Sequence, residues 1–362
     1  MSNQTIRCLT VGWGGISNHM AQLLLKLPWY ETAGVVDVRG EALARAQETL
    51  GISADVTFKH LNEALKKVAP DAVLINTPSE LHYEQAKESL RAGAHTLVAK
   101  PITNSFEDAV ELVKLAEDVE PTLSVGQQVR YNRHYQVVAQ FVHSGQLGRP
   151  EGAWFMNSKP RPNALNLARM KQPALYETSC HHFDSFLAVF DGYEPEWISC
   201  DGFIPSWSPY VGPCMINALI RFSGGLHLAY HGGFSAQSSM YEFRIEGMKG
   251  ALRCHGLHMS KDTMSYQFAP ALGQFEEAAI DNDVPLQTPF LPFFDIWQNY
   301  MAGGEEPPFS GRNNLKVFAM LSAAIDSIET GQPVEIAGNP RYREAFLRLS
   351  RSKFQVLREN SG

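Results

Sequence analysis

The chain has 362 residues, 44% of them hydrophobic and 19% charged, with a formal net charge of -7. It is too long for one compact core, too evenly mixed for a disordered or fibrous chain, and too acidic for a nucleic-acid or anionic-membrane partner. No apolar run approaches the roughly 20 residues of a membrane helix, and the opening Met-Ser-Asn-Gln-Thr lacks the basic and apolar regions of a signal peptide.

In chain order, an apolar strand from Ile6 runs into Gly12-Trp-Gly-Gly15, and a helix over His19 to Lys26 follows. A strand, a glycine turn and a helix form the entrance of a dinucleotide-binding βαβ unit. Gly12 permits the tight turn, Gly14 lets the backbone approach a pyrophosphate, and Ser17 allows helix and strand to pack closely. The glycines alone would fit any tight turn, but a second strand, Thr32 to Asp37, follows at βαβ spacing. Asp37 at its end is the expected acceptor for ribose hydroxyls. Helices over Gly40 to Leu50, Leu61 to Val68, Glu80 to Ala92 and Phe106 to Ala116 then alternate with strands at Ala72 to Ile75, His95 to Ala99 and Thr122 to Val125. This alternation predicts an α/β Rossmann domain with a doubly wound parallel sheet over residues 1–126.

The texture then changes. Strands are predicted at Glu151 to Asn157, Met215 to Phe222, Leu226 to His231, Met240 to Ile245 and Ala251 to Cys254. Helices are predicted around Tyr176 to Phe190, Phe293 to Met301 and Asn313 to Thr330, with a long loop over Ala269 to Pro292. Residues 127–362 are therefore expected to form an α+β domain on an antiparallel or mixed sheet. The five scattered cysteines form no Cys-x-x-Cys, which suits a reducing compartment and argues against a thiolate zinc site; the cytoplasm is the expected location.

Ligands bind at the carboxyl ends of strands in such a sheet. Gly12-Trp-Gly-Gly15, Asp37, Asn76-Thr-Pro78 and Lys100-Pro101 all fall at strand ends, and the usual strand order puts the glycine loop, Thr77 and Lys100 in one crevice. Lys100 can then donate to a substrate oxygen that changes between hydroxyl and carbonyl; an isolated lysine would instead be a solvated strand end. In Glu177-Thr-Ser-Cys-His181-His182-Phe-Asp184, helical spacing puts Glu177, His181 and Asp184 on one face. A carboxylate that fixes the tautomer of His181 prepares it for acid–base work near neutral pH, although a satisfied, partly buried histidine fits the pattern equally. A zinc site at His181, His182 and Asp184 is disfavoured, because adjacent helical side chains diverge by about 100°. Gln128, Arg130, Tyr131 and Asn132 follow the last strand and could reach substrate, Tyr131 being as readily a packing residue. Lys159, Arg161 and Arg169 could bind hydroxyls or a carboxylate, or form a solvated loop. Trp154, Trp207 and His231 could stack on a sugar, though aromatics in sheets are more often core.

These motifs, with Gly311-Arg-Asn-Asn-Leu315 and Ala323 to Val334 near the end, resemble the Gfo/Idh/MocA family of nucleotide-dependent oxidoreductases across nearly the whole chain. The resemblance implies a Rossmann domain followed by a domain with a large open, mostly antiparallel sheet, whose outer face often mediates dimers or tetramers. It places the catalytic lysine at Lys100, the catalytic histidine at His181 and its acidic partner at Glu177. It also implies cofactor contacts from Gly12, Trp13, Gly14, Gly15, Ile16, Asp37, Arg39, Asn76, Thr77, Pro78, His82, Lys100, Pro101 and Gln128. Substrate contacts are expected from Lys100, Arg130, Tyr131, Arg161, Glu177 and His181, and no metal is expected. Two departures stand out: Ala99 replaces the family's usual glutamate, and Gln172-Pro-Ala-Leu-Tyr176 replaces a glycine-rich turn.

The expected activity is hydride transfer between NAD and a secondary alcohol of a sugar, inositol or related polyol, by a homodimer or homotetramer. Asp37 favours NAD because a carboxylate repels a 2′-phosphate, while Arg39 keeps NADP possible. The rival expectations are an NAD-dependent glycosidase of the same family without net redox and a non-enzymatic NAD-sensing regulator.

Overall fold

The structure is a computed structural model that describes residues 5–163, 167–257, 264–280 and 288–347. The described residues divide into two compact units, one within 5–127, 290–315 and 347 and the other within 128–289 and 316–346.

Among the described residues, the first unit carries strands β1 (Ile6–Val11), β2 (Tyr30–Val36), β3 (Thr57–Phe58), β4 (Ala72–Ile75), β5 (His95–Val98) and β6 (Leu123–Val125) in the order β3-β2-β1-β4-β5-β6. Every pairing is parallel. The helices are α1 (Gly15–Leu24), α2 (Gly40–Leu50), α3 (Leu61–Val68), α4 (His82–Arg91) and α5 (Phe106–Asp118). Their ends follow local chemistry. Gly51 closes α2 in the left-handed region at φ 66°, and the Ser105 hydroxyl caps α5 by accepting from Asp108 N at 3.1 Å. All four residues of β4 are buried, as a central strand covered on both faces requires. The strand order reverses between β1 and β4, which opens a crevice at their carboxyl ends.

The helix Phe290–Met301, expected with the second domain, packs within the first unit. Phe290 lies edge-on to the His19 ring at 5.4 Å and Trp297 to Trp29 at 6.2 Å. This helix has few polar residues because its aromatic face completes that core.

In the second unit the described strands are β7 (Pro150–Pro160), β8 (Pro195–Phe203), β9 (Met215–Phe222), β10 (Leu226–Gly233), β11 (Ser235–Gly247), β12 (Gly250–Gly256), β13 (Ser265–Pro270), β14 (Glu276–Glu277) and β15 (Val334–Glu335). They form one sheet in the order β14-β13-β12-β11-β7-β10-β9-β8-β15. Only β7 and β10 pair in parallel, so the sheet is mixed and mostly antiparallel. Its inner face buries Phe155, Leu228, Tyr230, Tyr241 and Phe243, and Phe155 and Phe243 both meet Phe186 of the helix Cys180–Val189 edge-on or tilted.

Three expectations change here. The helix predicted around Tyr176 to Phe190 is interrupted: Leu175–Ser179 forms a π-helical turn, and α-helix resumes at Cys180. The predicted loop over Ala269 to Pro292 contains the end of β13, the short β14 and the start of Phe290–Met301, while its residues 281–287 lie outside the described residues. A helix over Arg133–His143 and the strand β8 were not foreseen.

Candidate active site

The glycine turn follows β1, as the sequence predicts. Gly12 sits at φ +85°, and a Cβ there would lie 2.9 Å from the carbonyl oxygen of Asn76 and from Thr77 Cγ2. The glycine turn after β1 thus lies directly against the end of β4, and only glycine fits. Beyond it Gly14 and Gly15 face open space, and the first turn of α1 has no side-chain cap. Its amide groups are the donors a pyrophosphate uses. Ser17 is 1% exposed and donates to Gly12 O at 2.6 Å, bracing the turn from the helix side. The side-chain nitrogen Nδ2 of Asn76 is buried without a hydrogen-bond partner, an unused donor at the same strand end. A dinucleotide fits these features: free space beside the glycines, an uncapped helix start and an orphaned donor.

Asp37 follows β2 and is 7% exposed. Its Oδ2 accepts from Trp13 N at 2.8 Å and Arg39 Nη2 at 3.0 Å; its Oδ1 accepts from Arg39 N at 2.9 Å and Arg39 Nε at 3.0 Å. Burial pushes the carboxyl up, but the Arg39 side chain and these backbone donors outweigh it and hold the pKa below the usual carboxylate range. Trp13 contributes this backbone N–H, while its ring is 2% exposed in a core with Ala21, Val35, Ala42, Leu43 and Ala46. Its ring is therefore a packing group. Ile16, by contrast, is 43% exposed at the start of α1.

At the end of β5, Lys100 is half-buried and precedes a cis bond to Pro101. His82, expected as a cofactor contact, is 1% exposed, with Nδ1 2.8 Å from Pro101 O and Nε2 2.9 Å from Thr77 O. Burial lowers its pKa against the pull of these carbonyls. The imidazole staples the Asn76-Thr-Pro78 loop to the Lys100-Pro101 loop, the two loops the cofactor reading needs side by side. Thr77 is fixed further by its hydroxyl, which donates to Gln85 Oε1 at 2.6 Å.

A second group of candidate residues lies in the other unit. Glu177 sits within the π-turn and His181 just after it, both half-buried. Glu177 accepts from Arg161 Nη1 at 3.3 Å, and the Arg161 guanidinium lies 5.0 Å from the Phe234 ring centre. Lys159 lies two residues past Asn157 in β7, and Arg161 follows the strand's end. The expected common face of Glu177, His181 and Asp184 does not form as predicted, because the π-turn breaks the α-helical spacing at its start and Asp184 faces the interior. Asp184 is 1% exposed, its oxygens accept no hydrogen bond, and its partner is Arg130 Nη1 at 3.2 Å. Burial raises its pKa to about 6, with Arg130 pulling it back. Arg130, expected as a substrate contact, has a side chain 8% exposed that pairs with this buried carboxylate. Tyr131 is half-buried beside it, its hydroxyl pushed up to about 12 by burial, and Gln128 is half-buried one residue past the first unit.

Of the proposed sugar-stacking group, Trp154 and Trp207 are 47% and 60% exposed, while His231 bonds Asn217 through Nδ1 at 2.7 Å. Sequence reasoning missed Asn157, Ser179 and Tyr230, which with His182 form a buried polar chain beneath the π-turn. Its one sequence signal was the second histidine of the pair. Among the described residues no group of His, Cys, Asp and Glu could hold a metal, and no helix is long and apolar enough to cross a membrane.

Residues 6–127 match the family model described as oxidoreductase family, NAD-binding Rossmann fold, and residues 168–336 match the family's C-terminal alpha/beta domain. The chain is 24% identical over 303 residues to a 1,5-anhydro-D-fructose reductase of Ensifer adhaerens, covering 82% of this chain and 88% of the relative. An oxidoreductase from Agrobacterium radiobacter in complex with NAD+, L-tartaric acid and magnesium shares the fold with a TM-score of 0.80 at 18% identity, covering 92% of this chain and 99% of that one. The WlbA dehydrogenase from Bordetella pertussis in complex with NADH and UDP-GlcNAcA does so with a TM-score of 0.78 at 23% identity, again over 92% and 99%. With the two family models covering both units, the glycine turn seated on Asn76 and Thr77, and an ionised Asp37 at the end of β2, the chain belongs to the Gfo/Idh/MocA oxidoreductase family, whose N-terminal part is an NAD-binding Rossmann fold.

Proposed function

We propose that the protein is an NAD(H)-dependent oxidoreductase acting on a secondary alcohol of a sugar, inositol or related polyol. The observation that carries this reading is the Asp37 carboxylate, kept ionised at the end of β2 within hydrogen-bond reach of the glycine turn itself. When bound, the nicotinamide supplies the hydride acceptor or donor. The amides at the start of α1 and the space beside Gly14 and Gly15 hold the pyrophosphate, and Asp37 takes the adenosine ribose. Asn76 and Thr77 line the crevice beside them.

Lys100 donates to the reacting oxygen and offsets its developing charge. His181 takes the hydroxyl proton during oxidation and returns it during reduction. Glu177 orients His181 and stabilises its charged form. Arg161 holds Glu177 and, with Tyr131, contributes polar groups to the substrate.

The assignment extends to the assembly and location. Trp154 and Leu219 are 47% and 57% exposed on the outer face of the large sheet, on either side of Ala229 in the same row. We read this face as the contact of a homodimer or homotetramer. The five free, buried cysteines suit a cytoplasmic protein.

The test is cofactor reduction and oxidation across sugars, polyols and keto-sugars. Lys100→Met and His181→Asn should each lower kcat by at least about 100-fold, while NAD binding measured by titration calorimetry persists. Near-wild-type turnover in either variant would remove that residue from the mechanism.

A further inference from the structure

Beneath the π-turn runs a chain of polar side chains. Asn157 Nδ2 is 3.0 Å from His182 Nε2; His182 Nδ1 is 2.9 Å from the Tyr230 hydroxyl; that hydroxyl is 2.8 Å from Ser179 Oγ. Ser179 Oγ in turn donates to the Ala174 carbonyl at 3.3 Å. The four residues are between 0% and 8% exposed.

Chemistry gives this chain a direction. An amide NH2 group can only donate, so Nε2 of His182 accepts and the neutral imidazole carries its proton on Nδ1. Nδ1–H donates to the Tyr230 oxygen, Tyr230 O–H donates to Ser179, and Ser179 O–H ends on a backbone carbonyl. Burial, reinforced by nearby His181 and Lys159, disfavours a second proton on the ring. Phe155 lies 4.7 Å from the imidazole and stacks on Tyr230 at 5.7 Å and 6°, so it packs against both rings.

The end points matter. Ala174 precedes the π-turn and Ser179 is its last residue. A turn of this kind is costly in isolation and recurs at functional sites. Here one hydroxyl bridges its two ends, and the hydroxyl is tied to Tyr230 on β10 and through His182 to Asn157 on β7. The sheet therefore sets the shape of the turn that carries Glu177 and precedes His181.

We propose that His182 is a positioning residue: as a neutral Nδ1–H imidazole it locks the π-turn to β7 and β10 and thereby fixes Glu177 and His181 for proton transfer. The anchoring stands on the hydrogen-bond chain, whereas its catalytic consequence rests on the hydride-transfer reading of the site.

The first experiment uses the whole protein with 15N-labelled histidine and long-range 1H–15N spectra, His182 being assigned by its loss in His182→Asn. The expected result is a single Nδ1–H tautomer that does not titrate between about pH 5 and 8. An Nε2–H tautomer, or titration in that range, overturns the proposal. In the second, Tyr230→Phe and Ser179→Ala should each lower kcat by about 10- to 100-fold and move the pH–rate limb assigned to His181, with NAD affinity unchanged. His182→Asn, which keeps a donor toward Tyr230, should retain more turnover than His182→Leu. Unchanged kcat and pH profile in both Tyr230→Phe and Ser179→Ala overturn the positioning role. If the wild type shows no oxidoreductase turnover, the hydride-transfer reading fails and the tautomer result alone decides the anchor.

Discussion

Replacing Arg130 by methionine tests the buried ion pair of the second unit in a way that separates charge from packing. Its guanidinium lies 3.2 Å from Asp184 Oδ1, with the two side chains 8% and 1% exposed. At an effective dielectric constant of about 20 this contact is worth roughly 5 kcal/mol of direct attraction, and removing one member of such a pair costs about 3–5 kcal/mol. The loss must depend on pH. Asp184 has a folded-state pKa of about 6, raised by burial against the pull of Arg130, and an unfolded value near about 3.9. A raised carboxyl favours the folded state fully below its unfolded pKa, and that contribution is lost as pH rises through the folded pKa. Without Arg130 the folded pKa rises further, so at about pH 7.5 the variant carries the whole penalty of an unpaired buried charge or of taking up a proton. At about pH 4 Asp184 is largely neutral in the fold of either protein, and the difference should shrink below about 1 kcal/mol. Urea unfolding at fixed protein concentration, followed by tryptophan fluorescence at both pH values, gives the two differences. Asp184→Asn in the Arg130→Met background should recover most of the loss at the higher pH. An equal loss at both pH values would show that Arg130 acts by packing and would refute the electrostatic argument.

Other outcomes follow from the cofactor half. Gly12→Ala must hold a left-handed φ at about 1–2 kcal/mol and push its Cβ into Asn76 O and Thr77, 2.9 Å away. NAD affinity by calorimetry should fall at least about tenfold, to be compared with Gly15→Ala, whose Cβ meets nothing within 4 Å. Arg39→Ala removes the cation that neutralises Asp37 at the ribose position, so affinity for NADP should fall relative to NAD by about tenfold. An unchanged ratio would exclude Arg39 from cofactor choice. Because the Asp37 pKa is lowered in the fold, its contribution to stability is present above the unfolded value and lost as pH falls through the folded one. Asp37→Asn should therefore destabilise the protein at neutral pH and converge with the wild type in strong acid, as read by thermal unfolding.

The parts of the site that rest on local chemistry were legible early. Gly12 was recognised because a strand, a turn and a helix meet there, and its positive φ and contact with Asn76 depend on neighbours close in the parallel order. The α3 helix, Leu61–Val68, matches its predicted bounds because its apolar residues repeat at helical spacing. For His82, only its two carbonyl partners reveal a staple between loops. For Arg130, nothing local announces the buried carboxylate of Asp184, since an arginine in a loop is normally solvated.

The sequence by itself determined the alternating βαβ order, the glycine turn and Asp37, because each depends on hydrophobic period or on backbone freedom within a few residues. Tertiary structure decided which charges lie inside. It paired Arg130 with Asp184 across more than fifty positions, brought the helix Phe290–Met301 into the first unit, and converted an expected α-helix at Leu175–Ser179 into a π-turn tied to β7 and β10. Such outcomes turn on burial and hydrogen-bond satisfaction among residues far apart in the chain. Local periodicity carries no record of them.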